Sequence, residues 1–135
     1  MKLLGFNLIK VYAEKFSHDF SNLKIATKID VKEVKETRQD ILKTKDETVN
    51  VHFSYEIAYG ENVAKIILEG NLLLALESKL YKELMKQWKD KETPEEFRIG
   101  LFNIVMRKTS LKALAIEEDL NLPFHIQFPT VRKKQ

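Results

Sequence analysis

The sequence predicts an α+β domain, an antiparallel sheet of about four strands with two helices packed on one face. Three observations predict it. Val49, Val51, Phe53, Tyr55, Ile57 and Tyr59 share one parity, while Asn50, His52, Ser54 and Glu56 share the other, which is the signature of a strand with one buried side. Gly60-Glu61-Asn62 follows as turn chemistry and Val63–Leu76 resumes the alternation, so the two runs form a hairpin. After Glu77 the spacing changes from two to four, with Leu80, Leu84 and Trp88 in register and Tyr81 and Met85 beside them, as an amphipathic helix requires.

The remaining elements take their places around this hairpin. Phe6–Phe16 mixes apolar and charged residues and is expected to be a strand. Leu23, Ile25, Ile29 and Val31 recur at even spacing between lysines and an aspartate, which predicts a second strand with one wet face. Lys35–Glu47 is polar and reads as the connection to the next strand. Thr93-Pro94-Glu95-Glu96 places a threonine N-cap, a proline at the first helical position and a glutamate three residues after the cap. The helix that starts there carries Phe97, Leu101, Ile104, Val105, Lys108, Leu111 and Ala115 on one stripe and should lie across the sheet. Glu117-Glu118-Asp119 ends it as a solvated charge run. In Leu120–Val131 two prolines exclude a central strand or a helix, leaving an extended edge or ordered loop, and Arg132–Gln135 reads as a mobile tail.

At 135 residues one domain, 1–135, accounts for the chain. With 44% hydrophobic and 32% charged residues, it is too apolar for a disordered chain and too charged for a membrane protein. The longest apolar run, Leu72–Leu76, is far below the roughly 18 residues of a membrane span. Met1–Ile9 lacks a small-residue cleavage site and reads as no signal peptide. Cysteine is absent, which removes disulfides, thiolate metal sites and cysteine nucleophiles and is compatible with a cytoplasmic location.

No constellation for catalysis, metal or cofactor is expected. His18, His52 and His125 are far apart, with no second ligand at helical or hairpin spacing, and His52 and His125 read as solvated. The sequence holds no nucleophile elbow and no glycine-rich phosphate loop. The net charge of +3 is small, and acids alternate with bases. A nucleic-acid-binding module would rest on Lys24, Lys28, Lys32 and Lys35, which lack interleaved aromatic residues, so nucleic acid is a disfavoured partner.

The apolar residues Phe53, Tyr55, Leu72, Leu74, Phe124, Ile126 and Phe128 either fill a core or line a groove. Leu72–Leu76 is apolar on both parities, and one two-helix layer covers one sheet face. The expectation is therefore that a subunit or a ligand covers the other. Binding of polypeptide, as a chaperone for many clients or as an adaptor for one partner, follows from that expectation.

Several strings, taken in order, resemble the SecB-type protein-export chaperones. Phe6-Asn7-Leu8-Ile9-Lys10-Val11-Tyr12-Ala13-Glu14-Lys15-Phe16-Ser17 is similar to the family's opening strand, and Leu23–Lys32 to its second. Val49–Tyr59, Gly60 and Val63–Leu76 resemble its central hairpin, Asn103-Ile104 the Asn-Ile of its main helix, and Leu122-Pro123 through Phe128-Pro129-Thr130-Val131 its Leu/Pro-rich exit. The helix at Leu80–Trp88 is longer than the family's corresponding connection, and the chain ends soon after Val131. The resemblance implies four antiparallel strands backed by helices, assembly as a dimer or dimer of dimers, and nucleotide-free binding of unfolded polypeptide clients in an apolar groove. It would place client contacts at Tyr55, Leu72, Leu74, Phe124, Ile126 and Phe128.

Overall fold

A computed structural model describes residues 1–37 and 47–133. Strands β1 (Lys2–Lys15), β2 (Ile25–Thr37), β3 (Glu47–Tyr59) and β4 (Ala64–Leu76) are followed by helices α1 (Ser78–Trp88) and α2 (Glu95–Asp119). The sheet is antiparallel throughout, in the order β1-β4-β3-β2. The hairpin β3–β4 is thus central, and the first two strands form the edges. That order explains the burial gradient. β3 has all six residues of its apolar parity enclosed, whereas Ile9 and Val11 on edge strand β1 remain exposed.

β2 runs farther than its apolar alternation suggests. Lys35, Glu36 and Thr37 continue the pairing with β3, after a register shift between Val31 and Glu33. The shift restores Val34 to the buried face, because one extra residue in a strand returns the following side chains to the opposite parity. The remainder of the expected polar connection, 38–46, lies outside the described residues.

The helices cover one face, where Leu72, Leu74 and Leu76 join Phe53, Leu80, Leu84, Phe97 and Leu101 in one core. On the opposite face Ala75 is buried and Leu73 and Ile67 are half-buried, among Lys65, Glu69, Asn71, Asn50 and His52. The expectation of a covering chain thus concerns this second face alone. Leu72, Leu74 and Leu76 point to the chain's own helices, and Leu73 points to the second face, where polar and apolar side chains mix.

α2 buries Phe97, Leu101, Val105, Thr109, Ala113 and Glu117. This ridge has strict spacing of four, which is inclined to the helix axis. The expected stripe diverges from it after Val105: Lys108, Leu111 and Ala115 are exposed, with Leu111 at 81%. The incline matches an oblique path. Residues Arg98–Asn103 face Ile29 and Val31 of β2, while at the far end the Lys15 Nζ of β1 donates to the Leu120 carbonyl at 2.9 Å.

Both helix boundaries differ from expectation in an informative way. Pro94 occupies the cap position with extended backbone, and Thr93 makes no side-chain cap bond. Thr93 is buried, and its carbonyl accepts from Arg98 Nη1. The acidic run supplies the last three residues of α2, as expected, but does not close it. Asn121 does, with φ 52°: Leu122 N donates to Glu117 O and Asn121 N to Glu118 O, a Schellman closure in which asparagine takes the left-handed place usually given to glycine.

Candidate peptide-binding groove

α1 closes in the same manner, with Lys91 at φ 59° and Glu92 N donating to Gln87 O. The tight reversal sets Trp88 at the mouth of a hollow of about 510 Å³ between β2 and the start of α2. Ile29 and Val31 form one wall, and Ile99, Leu101 and Phe102 the other. Ile99 is 56% and Phe102 42% exposed, so apolar surface is open to an incoming chain. Among the described residues β2 pairs on one side only, with β3, so its outer backbone groups have no strand partner there.

The rim is cationic. Lys91 Nζ lies 4.7 Å from the centroid of the Trp88 ring, an arrangement that holds the indole in place, and Arg98 also lines the hollow. Asp30, the acidic lining residue, is 3.5 Å from Lys28. Lys35 likewise lies 3.4 Å from Glu33. Two of the four lysines of the expected basic stripe are therefore matched by acids.

The six expected client contacts divide into two groups. Tyr55, Leu72 and Leu74 have no exposed surface and sit under the helices. Phe124 and Phe128 are exposed, packed edge to face at 5.4 Å, with Ile126 half-buried between them. None of the six lines the hollow. Ile99, Phe102 and Trp88 were absent from the expected set, although a signal existed. Ile99 and Phe102 are three apart and fall off the Phe97–Leu101–Val105 ridge, so the helix carries a second apolar row that its own core does not use.

Two polar residues expected to be solvated are buried instead. Glu117 is fully enclosed and accepts from Tyr59 Oη, from the His125 amide at 2.8 Å and from His125 Nδ1 at 2.7 Å. The His125 ring is 1% exposed. A charge run placed on the inward ridge of a helix must bury one member, which is why the reading of Glu117-Glu118-Asp119 as uniformly solvated fails. His52 stays on the polar face, half-buried, with Nε2 3.6 Å from Glu69. Among the described residues no group of three or more His, Asp or Glu could hold a metal ion, and no helix is long and apolar enough to cross a membrane.

Burial first, and the Glu117 charge second, push the Tyr55 hydroxyl up to about 12. Tyr59 is raised further, by burial and by its bond to Glu117. The Tyr55 hydroxyl has no hydrogen-bond partner among the described residues, which costs about 1–3 kcal/mol. Tyr55→Phe should therefore stabilise the protein by roughly 1 kcal/mol at neutral pH, read as a higher urea midpoint. Because the folded-state value is raised, Tyr55's contribution is complete below about pH 10 and is lost as pH climbs toward 12. The variant should lose less stability than the parent over that window.

No protein-family model matches the chain, and no curated protein matches it. Among solved structures it is similar to the SecB-like chaperone Rv1957 of Mycobacterium tuberculosis, in complex with a ChAD peptide from the Rv1956 HigA1 antitoxin. The identity is 14%, over 98% of this chain and 92% of that one, with a TM-score of 0.51. At that identity the likeness concerns architecture, and the strand count, antiparallel pairing and one-sided helix layer agree with it: the chain has the SecB-like α+β fold.

Proposed function

We propose that this chain binds polypeptide segments, as a chaperone or adaptor, in the groove between β2 and the α1–α2 turn. The observation that carries the reading is an unpaired strand edge facing exposed apolar side chains across an open hollow. An extended segment would pair with β2 and seat alternate side chains against Ile29, Val31, Trp88, Ile99 and Phe102, without nucleotide. Phe124, Ile126 and Phe128 supply a second apolar station. Tyr55, Leu72 and Leu74 act beneath the surface, fixing the sheet on which the groove stands. Clients are unfolded or extended chains. The protein works in the cytoplasm as a dimer or dimer of dimers, an assembly that native mass measurement tests. The solved neighbour that holds an antitoxin peptide supports a polypeptide as the ligand.

Trp88 is the sole tryptophan, so its emission reports directly on the groove. Titration with a chemically unfolded protein should shift the Trp88 spectrum and suppress that protein's aggregation. Ile99→Ser with Phe102→Ser should weaken both effects at least about tenfold, since two exposed apolar side chains contribute roughly 1.4 kcal/mol or more on desolvation. An unchanged spectrum with undiminished client aggregation would sink the proposal. Protection of several unrelated clients selects the chaperone, and response to one folded partner selects the adaptor.

A further inference from the structure

The Glu117 cluster does more than satisfy a buried charge. Leu122 ties back to the Glu117 carbonyl at 2.8 Å, while the carboxylate of the same residue receives both the amide and the ring of His125. The same carboxylate also takes the Tyr59 hydroxyl from β3. One side chain thus joins three parts of the molecule: the end of α2, the end of a central strand and the C-terminal segment. Beyond it, the segment has no place in the sheet, and Phe128, Pro129, Thr130 and Val131 are exposed. Leu122 enters the core, Ile126 is half-buried, and the bonds to Glu117 are the fixed points between them.

We propose that Glu117, His125 and Tyr59 form a buried latch that holds the C-terminal apolar segment against the body, and that the segment is released as a unit when the latch opens. No lysine or arginine makes an ion pair with Glu117 among the described residues, so two of the three donors to the buried carboxylate come from the segment and one, Tyr59, from β3. A carboxylate deprived of its donors in an apolar setting is strongly unfavourable, which makes the closed form a coupled arrangement: either both His125 bonds are made or the segment leaves and water enters. Opening would present Phe124, Ile126 and Phe128 on a free chain. The inference does not depend on the groove binding a peptide.

Hydrogen exchange by mass spectrometry on the full chain tests it without any ligand. His125→Ala and the near-isosteric Glu117→Gln should each raise exchange over residues 122–126, which hold the bonded Leu122 and His125 amides, by about tenfold or more, the loss of charge-assisted bonds. Amides of β3 and β4 should rise by a much smaller factor. If 122–126 exchanges at unchanged rates in both variants, or already exchanges at free-peptide rates in the parent, there is no latch. If segment and sheet accelerate by the same factor, Glu117 is an ordinary core residue and the proposal also falls. His125→Ala lies outside every helix and strand, so the test survives even where Glu117→Gln folds poorly.

Discussion

Replacing Gly70 with valine should cost about 3 kcal/mol or more, seen as a fall in the urea midpoint with little change in slope. Gly70 pairs with Leu8 of β1 and Phe53 of β3, at the point where Phe6 and Phe53 stack with centroids 5.8 Å apart. A Cβ placed there would lie 2.4 Å from the Asn7 carbonyl oxygen, 3.1 Å from the Phe53 ring and 3.2 Å from the Leu8 Cα. The first and third are backbone, so rotamer adjustment cannot relieve them and β1 must move away from β4. Gly5 is the internal control. A Cβ there meets only the Leu73 Cβ at 3.6 Å, an ordinary contact, and Gly5→Ala should be neutral or stabilising by up to about 1 kcal/mol through the unfolded chain. Equal losses at the two positions would show that generic strand effects, rather than close approach at Gly70, govern the sheet.

Phe97→Ala should cost about 3–5 kcal/mol, a sizeable share of the roughly 5–15 kcal/mol that holds a domain folded. The ring is fully enclosed in the first turn of α2, and its removal loses both transfer energy and the packing around the cavity. Leu111→Ala, on the same helix, should stay within about 0.5 kcal/mol because the side chain is surface. The pair separates two ways of reading α2. A stripe drawn from hydrophobicity places Phe97 and Leu111 together, whereas the inward ridge turns from Val105 to Thr109 and Ala113. Comparable losses for both variants would show that Leu111 is covered in solution by something this chain alone does not provide.

Local pattern carries most of what can be read from the residues without coordinates. Alternation in Val49–Tyr59 and Val63–Leu76 set two strands and their inward faces, Gly60 set the turn at φ 59°, and spacing of four after Glu77 set the first helix. These follow from side-chain direction and backbone sterics within a few residues, so the four strands, the two helices and the one-sided layer were legible. The extension of β2 to Thr37 escaped because a bulge breaks the parity that alternation depends on.

Pairing across the sheet is what made β1 and β2 the edges and set an open hollow beside β2, while Leu72 and Leu74 lie under the helices. Strand order is a matter of pairing between distant segments, and an apolar residue carries no mark of whether its cover comes from its own helices. Glu117 and His125 show the same limit from the polar side. Each is eight residues from the other and reads as a solvated charge alone. Together, on the inward ridge of α2 and the segment that folds back against it, they meet with Tyr59 at the Glu117 carboxylate, so the acid is buried with three donors around it.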